Sequence, residues 1–91
     1  MADHNKGQVD MPHIAVKIFP GRSEQQKHEF AAKVIEAAKS VFGSSDTSLS
    51  LAILDVAPEE WDVEVYGPEI QANEDKLYKR PGYGSLAIPS E

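Results

Sequence analysis

The chain has 91 residues and a net charge of −6 at pH 7, which limits it to one small domain and argues against nucleic acid as a partner. It contains no cysteine, so disulfide bonds and thiolate metal sites are excluded, and a reducing cytoplasm is the expected location. No apolar run approaches the roughly 20 residues of a membrane span, and no signal-peptide pattern opens the chain, so no membrane partner is expected.

The first eleven residues, MADHNKGQVDM, are mostly polar and show no hydrophobic period. This composition is typical of a disordered extension, a tag remnant or an upstream start at residues 1–11. The folded domain is therefore expected to cover residues 12–91. If translation begins at Met11 and the methionine is removed, Pro12 becomes the N-terminal residue.

A β-strand is predicted at residues 13–19, where Ile14, Val16 and Ile18 alternate with side chains of the opposite face. Pro20-Gly21-Arg22 ends this strand.

A long helix is predicted to follow. Ser23 and Gln26 have the spacing of a capping box, and Gly43 occupies the position of a left-handed C-cap. Between them, apolar residues recur at helical spacing and form one stripe: Phe30, Ala31, Val34, Ile35, Ala38, Val41 and Phe42.

Residues 48–56 predict a second strand, whose two apolar faces are typical of a buried strand. A turn is expected at residues 57–61. Pro68 is compatible with the first position of a weaker helix that runs to Arg80, where Pro81-Gly82 ends it.

The predicted order is strand, helix, strand and a C-terminal helix. Two strands joined through one long helix should be parallel, with a right-handed crossover, so the predicted fold class is α/β (α+β) of the β-α-β type. A two-stranded sheet is not stable alone. A partner subunit is therefore expected to complete the sheet, which makes the chain a homo-oligomer.

Three residues are candidates for chemistry. A free N-terminal Pro12 is an amine with a pKa of about 8, and a hydrophobic pocket or a nearby cation would lower that pKa toward neutrality. Such a base can move a proton between atoms of a substrate. Arg22, just before the helix, is suited to hold a carboxylate in two parallel hydrogen bonds. Trp61, the only tryptophan, could wall an apolar pocket.

Each of these residues also has a purely structural interpretation. Pro12 could simply begin a strand, where its missing N–H costs nothing. Arg22 could be an exposed arginine and Trp61 a core or interface residue. The three histidines lack metal-ligand spacing, and no glycine-rich phosphate loop is present, so neither a metal nor another cofactor is expected.

Several segments together resemble the tautomerase superfamily, specifically the 4-oxalocrotonate tautomerase-like proteins. The resemblance rests on Pro12-His13-Ile14, on FPGRSEQQK at residues 19–27, on Ser48-Leu49-Ser50-Leu51 and on Pro58-Glu59-Glu60-Trp61. Residues 79–83, KRPGY, are similar to a longer-tailed bacterial subgroup of that family, whose members are dimers.

The resemblance implies a β-α-β fold with four-stranded sheets formed by pairs of subunits, here a homodimer. It implies keto–enol tautomerism of small 2-oxo acids and their enols. Pro12 falls on the family's catalytic base, and Arg22 falls on the arginine that binds the substrate carboxylate. Trp61 falls where an aromatic residue lines the pocket. Ser50 replaces a second arginine, which favours a monocarboxylate such as phenylenolpyruvate.

Two other functions stay open. If residues 1–11 are retained, the Pro12 nitrogen is an amide without basicity, and the chain would be a catalytically silent homodimeric binding protein of the same fold. Hydration-dehalogenation of small unsaturated acids is related chemistry. It is less favoured because the sequence shows no obvious pair of residues that would activate water.

Overall fold

The structure is a computed structural model that describes residues 10–87. Most of the predicted extension, residues 1–9, lies outside the described residues. The chain forms two compact units, one ending at Asp55 and the other beginning at Val56. No helix within residues 10–87 has both the length and the apolar content that a membrane span requires.

The first unit contains a two-stranded parallel sheet of β1 (His13–Ile18) and β2 (Ser50–Asp55). Its register pairs His13 with Ser50 at one end and Ile18 with Asp55 at the other. The helix α1 (Glu24–Phe42) connects the two strands. This arrangement confirms the predicted β-α-β fold, although both strands are shorter than the alternation of side chains suggested.

Both ends of α1 are formed as the sequence predicts. The Gln26 N–H donates to Ser23 Oγ at 3.1 Å, and the Ser23 N–H donates to Gln26 Oε1 at 3.1 Å. Gly43 ends the helix at φ 74°, and its N–H donates to the Lys39 carbonyl at 3.0 Å. These bonds satisfy backbone groups that would otherwise have no partner inside the helix.

The two faces of the sheet differ. The face with Val16, Ile18 and Ile53 lies toward α1, and a salt bridge of 3.1 Å from Lys27 Nζ to Asp55 Oδ1 ties the helix to β2. The other face carries His13 and Ser50, and Leu54 on this face is 43% exposed. No large side chain among the described residues is fully buried. A domain that completes its core against a second copy is expected to show this.

The second unit differs from the prediction of a helix from Pro68 to Arg80, which is wrong at both ends. A 3₁₀ turn (Pro58–Glu60) leads into a π-helix (Asp62–Ile70), followed by a 3₁₀ segment (Gln71–Lys76). Pro68 lies inside the π-helix and does not begin it. A π-turn pairs residues five apart and is wider than an α-turn, which relieves the clash of a proline ring with the carbonyl four residues back.

The C-terminal segment of the second unit folds back onto Tyr66, which is 7% exposed. The Tyr66 hydroxyl accepts a hydrogen bond from the Leu86 N–H at 2.8 Å and donates one to the Tyr83 carbonyl at 3.3 Å. Gly84 adopts φ +71°, and a Cβ at this position would lie 2.5 Å from the Tyr66 ring. Only glycine fits both conditions.

Candidate active site

Pro12 lies directly before β1 and is half-buried. Its carbonyl accepts a hydrogen bond of 3.3 Å from the Ser50 N–H, at the start of β2. Pro12 is therefore fixed at the N-terminal end of the parallel sheet. In the full chain its nitrogen belongs to the Met11–Pro12 peptide bond, where the lone pair is delocalised and cannot accept a proton.

His13 and Ser50 form a polar pair next to Pro12. They are partners in the register of the sheet, and 2.6 Å separates His13 Nδ1 from Ser50 Oγ. The sequence predicts Ser50 as a site residue, whereas His13 is only part of the Pro12-His13-Ile14 segment and lacks metal-ligand spacing. The signal that would have found His13 is its place at the start of a strand, because parallel pairing brings the first residues of β1 and β2 together.

Arg22 lies beyond the other end of β1, in the turn before the N-cap Ser23. Its side chain lines a cavity of about 310 Å³ together with three apolar residues of the sheet and three residues of α1: Val16, Ile18, Ile53, Gln26, Lys27 and Phe30. Within residues 10–87, no carboxylate forms a salt bridge with Arg22. Arg22 is therefore available to an anion that enters this mostly apolar cavity.

Pro12 and Arg22 are not brought together within one chain. The six residues of β1 lie between them, and a strand of this length spans about 20 Å. This distance exceeds the reach of an arginine side chain. One end of the sheet thus holds Pro12, His13 and Ser50, and the other end holds Arg22.

Trp61, the fourth predicted site residue, belongs to the second unit. It is half-buried, and its Nε1–H donates to the Tyr83 hydroxyl at 3.0 Å. This bond satisfies the polar edge of the indole and fixes the ring within the C-terminal unit. The role of Trp61 in lining a pocket stays a prediction.

The residues immediately before Pro12 also make a defined contact. The Ser44 hydroxyl donates to both carboxylate oxygens of Asp10, at 2.9 and 3.0 Å, and Ser44 is 5% exposed. Met11, between Asp10 and Pro12, has φ 51°, in the left-handed region.

In the part of the chain that the structure describes, no group of His, Asp and Glu residues has the arrangement of a metal site.

The comparisons with known proteins point to one family. The family model described as "Tautomerase enzyme" matches residues 12–69. A "Probable tautomerase" of Xylella fastidiosa is 44% identical over 81 residues, which cover 89% of this chain and 99% of that protein. "Tautomerase PptA" of Pectobacterium carotovorum is 47% identical over 74 residues, covering 80% and 97%.

Among solved structures, YwhB, described as a homologue of 4-oxalocrotonate tautomerase, matches with a TM-score of 0.49 and 33% identity. The match covers 50% of this chain and 75% of that one. The extent of the family match and the identity to both bacterial relatives establish the relationship. The chain belongs to the tautomerase family of enzymes and is an isomerase.

Proposed function

We propose that this tautomerase interconverts the keto and enol forms of small 2-oxo acids, with the amine of an N-terminal Pro12 as general base. The observation that carries the proposal is the position of Pro12. It is the first residue of the family match, and its carbonyl is held by Ser50 at the end of the sheet. A base fixed in this way can meet a bound substrate repeatedly in one geometry.

The reaction follows from the chemistry of a free prolyl amine. An α-amino group has a pKa of about 8, so an appreciable fraction is neutral near physiological pH. The neutral nitrogen removes the proton of the enol hydroxyl, and the resulting ammonium returns a proton to carbon. One O–H bond is broken, one C–H bond is formed, and the base is regenerated. The same nitrogen in a Met11–Pro12 amide cannot take the first proton.

Arg22 is proposed to hold the carboxylate of the substrate. A guanidinium forms two parallel hydrogen bonds with a carboxylate, which fixes both its position and its orientation. Because β1 separates Pro12 from Arg22 within one chain, we infer that each site combines Pro12 of one subunit with Arg22 of another. Members of this family are typically oligomers that act on small substrates.

A homodimer is the proposed assembly. Phe19 and Leu54 remain 50% and 43% exposed. Leu54 lies on the sheet face that points away from α1, and Phe19 directly follows β1. Apolar side chains on one sheet face are expected to pack against a second copy, which also protects the edges of a two-stranded sheet. The second copy also brings a second Pro12 and a second Arg22 into the same assembly.

The preferred substrate is proposed to be a monocarboxylate such as phenylenolpyruvate. Ser50, next to Pro12, provides a hydroxyl and no positive charge. A second carboxylate near Pro12 would therefore lose its water without gaining an ionic partner. An aromatic substituent would instead pack against the indole of Trp61, which is proposed to line the substrate pocket.

A comparison of two substrates tests this preference. With chains that begin at Pro12, kcat/KM for ketonisation of phenylenolpyruvate should exceed kcat/KM for the enol of 4-oxalocrotonate. Ser50→Arg should reverse the preference, and Ser50→Ala should leave its direction unchanged. A parent enzyme that prefers the dicarboxylate would overturn the substrate assignment but would leave Pro12 as the base.

Subunit mixing tests the shared site. Full-length chains with an acylated Pro12 would be refolded together with Arg22→Ala chains that begin at Pro12. Neither parent should have high activity. The hybrid dimer has one site with a free Pro12 and an intact Arg22, so activity should reappear on mixing. If the two residues act within one chain, mixing restores nothing.

A further inference from the structure

We propose that His13 is a further catalytic residue of this enzyme, which donates a hydrogen bond from Nε2 to the oxygen of the enol as it becomes a carbonyl. The inference rests on the proposed function of Pro12 and deepens it. The observation behind it is the 2.6 Å contact between His13 Nδ1 and Ser50 Oγ, made by the residue that directly follows Pro12.

The contact fixes the imidazole of the residue that follows Pro12 against Ser50. Consecutive Cα atoms are about 3.8 Å apart, and the Ser50 backbone is bonded to the Pro12 carbonyl at 3.3 Å. Ser50 therefore binds Pro12 through its N–H and His13 through its hydroxyl. The two bonds hold the His13 imidazole and the Pro12 carbonyl at the same end of the sheet, both through Ser50, and these three residues form one cluster.

The same contact leaves one ring nitrogen available. His13 is exposed, and within residues 10–87 the hydrogen bonds of its ring involve Nδ1 alone. If the Ser50 hydroxyl donates to Nδ1, the ring proton of a neutral imidazole must be on Nε2. Nε2–H is then a donor whose direction is fixed by the bond on the other side of the ring. This is the tautomer that the proposal requires.

A donor at this position matches the charge that develops in the reaction. When Pro12 removes the enol proton, negative charge accumulates on the substrate oxygen that lies nearest to the proline nitrogen. A fixed donor that meets this charge lowers the barrier, because its dipole does not need to reorganise during the step. A neutral donor suffices, and the imidazole neither gains nor loses a proton over the cycle.

Two substitutions at His13 separate a catalytic role from a structural one. His13→Asn places an amide near the position of Nδ1, so it keeps the bond to Ser50 but has no group at the position of Nε2. His13→Gln reaches about as far as Nε2. The exposed His28 of α1 is the matched control, because it lies 3.9 Å from Glu24 and outside the cluster.

The experiment uses chains that begin at Pro12 and phenylenolpyruvate as substrate. We expect His13→Asn to lower kcat by about 10- to 100-fold with little change in KM, and His13→Gln to recover part of that loss. His28→Asn should keep the parent kcat. Helix content measured by circular dichroism confirms that each variant is folded. A His13→Asn enzyme with the parent kcat would overturn the proposal, since only the bond to Ser50 would then matter.

A binding measurement keeps this result separate from the proposed function. In ¹⁵N spectra of the histidine rings, phenylpyruvate should shift His13 Nε2 and leave His28 unchanged, and His13 should show the Nε2–H tautomer. A shift at His13 without ketonisation supports the contact between His13 and the bound ligand, and counts against phenylenolpyruvate as a substrate. Ketonisation without a shift at His13 supports the function and overturns the role of His13. The absence of both overturns both.

Discussion

The hydroxyl of Ser44 is shared between the two carboxylate oxygens of Asp10, at 2.9 and 3.0 Å. These residues are 34 positions apart in the sequence, and the contact fixes the residues before Pro12 to the loop that follows α1. The part of the extension next to Pro12 thus has a defined place on the domain.

We expect Asp10→Ala to destabilise the full chain by about 1–2 kcal/mol, because it leaves the buried Ser44 hydroxyl without an acceptor. Ser44→Ala should cost less, since the exposed Asp10 carboxylate can return to water. Urea denaturation followed by helix circular dichroism measures both. Equal stability of Asp10→Ala and the parent would show that the contact contributes nothing.

Arg22→Ala should lower kcat/KM for phenylenolpyruvate by about 10- to 100-fold. This is the loss expected when a charged hydrogen-bonded pair with a carboxylate is removed. Arg22→Lys should recover only part, because an ammonium cannot form the two parallel bonds. Lys33→Ala, which removes an exposed cation of α1 away from the cavity, is the control. An unchanged kcat/KM in Arg22→Ala would remove Arg22 from the site.

Gly84→Ala should destabilise the second unit by about 2–4 kcal/mol, since it combines a left-handed backbone with a methyl group only 2.5 Å from the Tyr66 ring. Gly82→Ala is the matched control, because a Cβ at Gly82 would meet nothing within 4 Å. Urea unfolding is measured by the fluorescence of Trp61, which is hydrogen-bonded to Tyr83 in this unit. If both variants unfold at the same urea concentration, the packing of Gly84 against Tyr66 is not required.

Ser23→Ala should destabilise α1 by about 1 kcal/mol, because the N–H of Gln26 loses its acceptor. Ser40→Ala, an exposed position inside the same helix, should be neutral or slightly stabilising, since alanine has the higher helix propensity. Helix circular dichroism during urea denaturation measures the difference. A Ser23→Ala variant as stable as Ser40→Ala would contradict the role of the capping box.

Local chemistry explains what could be predicted from the sequence. The capping box of Ser23 and Gln26 and the C-cap at Gly43 depend on neighbouring residues, and the structure confirms them. The parallel pairing of β1 and β2 follows from the length of the helix between them, and it too is confirmed.

Contacts between distant residues account for what the sequence did not indicate. The bond between His13 and Ser50 depends on the register of the sheet, and the bond between Asp10 and Ser44 joins the extension to a distant loop. The usual place of proline at the start of a helix predicts that Pro68 begins one. The burial of Val65 and Tyr66, which precede it in the same helix, overrides that preference.

A free Pro12 amine is the proposed catalytic base, and a comparison of two chains tests this role. Phenylenolpyruvate ketonisation would be measured for a chain that begins at Pro12 and for the full chain, with intact mass confirming that residues 1–11 are retained in the latter. The chain that begins at Pro12 should have a kcat/KM at least about 100-fold higher, because acylation removes the base. Equal rates for the two chains would contradict the proposed mechanism.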